Sequence, residues 1–178
     1  MKLKPTMHLG KRLKQIGMND KLLTTLNDRA AIIQLIDAFG MAIDLRTWEK
    51  FESLFHNPTE FDYSSIGVIA GNLQPYEIVN TARHDLSGFQ ATQHQITNHQ
   101  VEIIGDTATC TAHVRAMHYL PNTQGNSTFE MGGYYTVGLI RTPSNWKIQR
   151  WKFSMLWSHG NQNLFELAAS ENLKREQT

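Results

Sequence analysis

From Thr92 onward, apolar residues recur at every second position through four consecutive stretches, 92–104, 106–120, 127–141 and 146–158, and this constrains the fold more than any other feature of the chain. A period of two puts alternate side chains on opposite faces of a strand. Gly105-Asp106, Pro121 to Gly125 and Pro143 to Asn145 supply turns between the stretches. Four long strands joined in sequence predict an antiparallel meander, and strands of that length curl as they twist.

Ahead of the meander the period changes. Ile32, Leu35, Ile36, Phe39, Ala42 and Ile43 are spaced by three and four, the stripe of a half-buried helix that Asp28 or Asn27 can cap. A second short helix is expected in TWEKFESLF, capped by Thr47, with Trp48, Phe51, Leu54 and Phe55 on its apolar side and Asp44 at the corner between the two helices. Asn57 and Pro58 should break it, EFDYSS and GVIAG read as a small hairpin, and Pro75 opens a third helix, PYEIVNTARHDL. NLFELAAS reads as a closing helix and ENLKREQT as a polar tail. Helices first and long strands afterwards indicate an α+β fold, a curved antiparallel sheet packed against N-terminal helices. Such a sheet closes into a cone-shaped barrel with one mouth. The expected division is an extension over 1–26, one domain over 27–170 and a tail over 171–178.

At 178 residues the chain fits a single core. Lys and Arg number 17 against 16 Asp and Glu, so no strong field gathers nucleic acid or anionic lipid, and neither is an expected partner. Cys110 is the only cysteine, which excludes an internal disulfide and fits a reducing compartment; cytoplasm is the expected location. Lys2, Lys4, Lys11, Arg12 and Lys14 make the N-terminus basic without the apolar run of a signal peptide or membrane span. A solvated extension or a targeting arm both fit it.

The stretch TATCTAHVRAMHY carries the sharpest information. Ala108, Cys110, Ala112, Val114 and Ala116 alternate with polar residues, so even positions face inward and His118 with them, while His113 faces the surface or an interface. In TQHQITNHQ the same test puts His94, Ile96 and Asn98 on one face, with His94 inward, and the opposite parity of Val101 and Ile103 requires a bulge or a switch near His99 and Gln100. Two inward histidines near an aspartate supply a proton donor, a proton acceptor and a group to orient one ring. Separations of five residues put His94 and His99, and His113 and His118, on opposite faces, so no metal site is expected. Nucleophile elbow, phosphate loop, CxxC and HExxH motifs are absent. Cys110 reads as an inert core thiol. Trp151, Phe153 and Trp157 suit a core, a pocket wall or an oligomer face.

In their order and spacing, ID before a Trp-containing helix, FDYSS, TQH, VRAMH and NWKI resemble the SnoaL-like family of the nuclear transport factor 2-like superfamily, and within it the scytalone dehydratases, over most of residues 28–170. The resemblance implies that Asp44, Tyr63, His94 and His118 occupy the pocket of a cofactor-free hydro-lyase. His94 would be the general acid/base, His118 and Asp44 a supporting pair, and Tyr63 the polariser of a carbonyl. Ile43 stands where those dehydratases carry one of two water-holding tyrosines, so the implied substrate is a small hydrophobic or cyclic hydroxyketone of another ring system, acted on by a dehydratase or isomerase. A ligand-binding or assembly module using the same pocket without chemistry is the alternative. A homo-oligomer, dimer or trimer, is also implied, through the sheet face that carries Thr111, His113 and Arg115.

Overall fold

The computed structural model describes residues 6–176, with side chains placed for 18–172. A long helix α1 (Thr6–Asp44) leads through the short α2 (Trp48–Glu52) into β1 (Phe55–Asp62), a 3-10 turn at Ser64–Ile66, and β2 (Ala70–Leu73). Then come α3 (Pro75–Leu86), the four long strands β3 (Ala91–Ile104), β4 (Thr107–Tyr119), β5 (Thr128–Arg141) and β6 (Trp146–Gly160), and α4 (Leu164–Glu176). The six strands form one curved sheet in the order β2-β1-β6-β5-β4-β3. All four long strands lie within a residue or two of the expected stretches. The sheet is nonetheless mixed, because β1 runs parallel to β6 while every other neighbouring pair is antiparallel.

Local details depart from expectation where distant partners intervene. The helix does not begin at Asn27 or Asp28 but passes through them from Thr6. The Asp28 carboxylate instead receives two bonds from Arg141, at 2.7 and 2.8 Å, and one from Trp146 Nε1 at 3.1 Å, tying α1 to the β5–β6 end of the sheet. Thr47 makes no side-chain cap to α2. Asn57 and Pro58 lie within β1 rather than ending a helix, Phe55 opens that strand, and α4 extends through most of the expected tail. No helix among the described residues is long and apolar enough to cross a membrane.

The inward parity of β4 is as read: Ala108, Cys110, Ala112, Val114, Ala116 and His118 are all buried. On β3 the register slips between Thr97 and Gln100, and Asn98 adopts a left-handed φ of 58°. That bulge reconciles inward His94 and Ile96 with inward Val101 and Ile103. A second slip, between Gly132 and Gly133 on β5, leaves Leu156 unpaired on β6. Trp151 and Phe153 therefore stay in the core, whereas Trp157 emerges on the outer face, 45% exposed.

Phe39 is the hub between helix layer and sheet. It is fully buried, stacked on Trp151 at a centroid separation of 3.7 Å, and meets Phe51, Phe55 and Tyr135 edge-on. Phe39→Ala is expected to destabilise the fold by about 3–5 kcal/mol, since the cavity has aromatic walls on several sides that cannot all collapse inward. A urea midpoint displaced by less than 1 kcal/mol equivalent would reject that central role.

Candidate active site

Asp44 ends α1 and meets β3 because α1 settles closely on that strand. At Gly40, one turn earlier, an added Cβ would stand 3.3 Å from His94 Cβ and from the His94 carbonyl oxygen. Glycine permits the approach. Asp44 Oδ2 accepts the His94 main-chain N–H at 2.7 Å, and Oδ1 accepts from His94 Nδ1 at 2.7 Å and from the Thr92 hydroxyl at 2.9 Å. Burial alone would raise the Asp44 carboxyl; the bonds and charge of His94 and the Thr92 hydroxyl outweigh it and hold the group below its ordinary value. An ionised carboxylate facing Nδ1 requires the proton on that nitrogen, which leaves Nε2 as the basic atom of a neutral ring.

His94 borders a cavity of about 80 Å³, together with Tyr63, Tyr135, His118 and a wall that is mostly aromatic and aliphatic, Phe39, Ile43, Phe61, Phe153 and Phe165 among it. His118 lies with its ring centroid 5.8 Å from that of His94, at 85°. The two inward histidines therefore border one cavity, with Tyr63 also on its lining. Asp44 stands behind His94, outside the cavity lining, and its partner is His94 rather than His118. The expected His118–Asp44 pair is thus corrected: adjacent inward positions on β3 bring His94 and Thr92 to the helix end, while β4 carries His118 one strand further off.

His118 is 2% exposed and enclosed by Phe89, Phe129 and Phe165, with Nδ1 unpartnered among the described residues. Burial first, then the nearby His94, pushes its pKa down to about 3. His118 is consequently neutral at physiological pH and a poor proton acceptor. The folded pKa lies below the value of about 6.5 for an unperturbed histidine, so the unfolded chain takes up this proton first as pH falls. Stability should be unaffected by His118 above that value and decline by about 1.4 kcal/mol per unit between it and the folded pKa. Urea titrations at pH 7, 5.5 and 4 should show a smaller acid loss in His118→Gln than in the parent; parallel curves would contradict the neutral buried state.

Tyr63 stacks on Phe61 at 4.8 Å and accepts a hydrogen bond from Trp151 Nε1 at 3.2 Å. Burial pushes its phenol up to about 12, and it is hydrogen-bonded to Tyr135, whose own phenol is raised well above normal by burial and by Tyr63. Both remain protonated donors in neutral solution. Tyr135 was not singled out in the sequence, although it shares the inward parity of Val137 and Leu139. Thr92 and Arg46 were missed as well. Thr92 shares the parity of His94; Arg46 gives only the indirect sign of a charged residue two positions beyond Asp44. Burial also pushes the Cys110 thiol up to about 11, as suits an inert core residue.

The SnoaL-like domain model matches residues 24–152. Among solved structures, the Kfla4162 protein of Kribbella flavida is 28% identical, with a TM-score of 0.73 over 81% of this chain and 98% of its own. Two more distant structures share the fold. A candidate scytalone dehydratase of Novosphingobium aromaticivorans is 17% identical, TM-score 0.66, covering 78% and 91% of the two chains. The type-3 hexachlorocyclohexane dehydrochlorinase of Novosphingobium barchaimii is 20% identical, TM-score 0.65, covering 79% and 94%. With its curved sheet and helical cover, and with the family model matching most of its length, the chain belongs to the SnoaL-like domain family of the nuclear transport factor 2-like superfamily.

Proposed function

We propose that this protein is a cofactor-independent lyase that removes a small leaving group from a cyclic, largely apolar substrate. The observation that carries the reading is the Asp44–His94 pair, bonded at 2.7 Å beside a cavity whose other walls are mostly hydrocarbon. His94 Nε2 takes a proton from ring carbon, the C–H electrons form the new C=C bond, and the bond to the leaving group on the neighbouring carbon breaks. Asp44 offsets the positive charge developing on the imidazole. On a hydroxyketone, Tyr63 donates to the carbonyl oxygen, stabilising the enolate, and the departing hydroxide leaves as water with the proton His94 has taken. Returned to a different carbon, the same proton would give an isomerase.

Elimination of water and elimination of hydrogen chloride, the reactions named for two proteins of this fold, are both open to a base that abstracts a proton beside the leaving group. The test is a panel of cyclic β-hydroxyketones and chlorinated cyclohexanes, followed by enone absorbance and by chloride release. Conversion that disappears with His94→Ala supports the reading; conversion that survives rejects it.

A second reading has its own observation. Three phenylalanine rings surround His118 on the cavity wall, as suits a cavity built to hold an apolar ligand without chemistry. Saturable binding of panel compounds with no turnover, equal in wild type and His94→Ala, would favour it.

A further inference from the structure

We infer that Arg46 is a positioning residue for the proposed base, acting through Thr92 and Asp44 on the tautomer of His94; this rests on the elimination reading. Arg46 follows α1 in a left-handed conformation, φ 57°, which turns its side chain back under the helix end. Nη1 donates to the Ile43 carbonyl at 2.5 Å and to Thr92 Oγ1 at 2.8 Å, and Nη2 donates to the Leu86 carbonyl at 2.8 Å. Ile43 lies in the last turn of α1 and Leu86 ends α3. One guanidinium therefore satisfies carbonyls at two helix C-termini, where a positive charge is favoured.

That much describes a structural staple. The bond to Thr92 adds something a staple does not need. A guanidinium only donates, so Thr92 Oγ1 accepts from Arg46 and its single proton is left for Asp44 Oδ1, 2.9 Å away. Asp44 then receives three donors on two oxygens, Thr92 O–H, His94 N–H and His94 Nδ1–H. With the hydroxyl unable to turn round and donate elsewhere, the carboxylate stays ionised and the His94 proton stays on Nδ1. The order of donation is Arg46 to Thr92, Thr92 to Asp44, and His94 to Asp44, which keeps the Nε2 lone pair free at the cavity.

The test uses the full-length wild type and four variants: Arg46→Gln, Thr92→Val, the two together, and Arg46→Lys. In 15N-labelled protein without substrate, the wild-type His94 ring should be Nδ1-protonated, and either single change should give a mixture of tautomers. With a substrate from the panel, each change should lower kcat by about 10- to 100-fold, the range known for outer partners of metal-bound histidines carried over to this one, with KM altered less than threefold. The double variant should be no slower than Arg46→Gln alone, and Arg46→Lys should recover part of the loss. Independent, multiplying losses in kcat would overturn the inference and leave a staple. An unchanged tautomer in Thr92→Val overturns it too, even where Arg46→Gln fails to fold. Because the tautomer is read without substrate, an inactive wild type whose His94 still responds to Thr92→Val would reject the proposed function and retain the relay.

Discussion

His94→Ala is expected to lower kcat by about 10²- to 10⁴-fold, the usual contribution of a positioned general base, while the protein stays folded. The chemistry leaves few substitutes. Asp44 stands behind the ring rather than on the cavity wall, the Tyr63 phenol is held protonated, and His118 is a weak base because burial pushes its pKa down to about 3. Structurally the loss is modest. The alanine keeps the main-chain N–H that bonds Asp44 Oδ2, and Thr92 continues to serve Oδ1. One bond to a charged group disappears, a cost of about 1.5–3 kcal/mol. Steady-state kinetics paired with thermal melts separate the two effects. A variant within tenfold of wild type would mean that another atom takes the proton and would reject His94 as the base.

Which parts of this arrangement could be read in the sequence follows from how local each cause is. Strand parity is a local property, so the even positions from Ala108 to His118 could be assigned to the interior from alternation alone, and the conflict between His94 and Val101 was enough to demand a bulge or a switch near His99, which the structure meets with the bulge at Asn98. Partners far apart in sequence could not be read the same way. Asp28 has the composition of an N-cap, yet its carboxylate is claimed by Arg141 and Trp146, 113 and 118 residues away, and the helix continues past it. Likewise nothing in FDYSS indicates that its strand runs parallel to β6. The same limit separates the site residues. His94, His118, Asp44 and Tyr63 could be nominated one by one, but which histidine Asp44 serves depends on where the end of α1 sits over the sheet, and that is fixed by the close approach at Gly40. Arg46 was invisible because its function depends on carbonyls at two helix ends that only the tertiary fold brings together.

Asp44→Asn should be nearly as damaging to turnover as loss of the histidine, about 10²-fold or more, although it removes only a charge and alters no volume. The reason lies in donor counting. The carboxylate accepts three hydrogen bonds, one of them from the His94 main-chain N–H, which cannot rotate away. An asparagine has one accepting oxygen and one donating NH2. If the NH2 faced the main chain, two donors would confront each other with no remedy, so the oxygen must take that place and the NH2 must face Thr92 Oγ1 and His94 Nδ1. Thr92 can accept that proton. His94 can accept it only by moving its own proton to Nε2, which converts the base at the cavity into a donor. The fold survives because the main-chain N–H of His94 keeps its acceptor, and the site fails because the wrong nitrogen is protonated. Nitrogen-15 spectra of the His94 ring should therefore show Nε2–H in Asp44→Asn and Nδ1–H in the parent, with melting temperatures within a few degrees of each other. Wild-type turnover in the variant, or an unchanged tautomer, would show that Asp44 does no more than anchor α1 to β3.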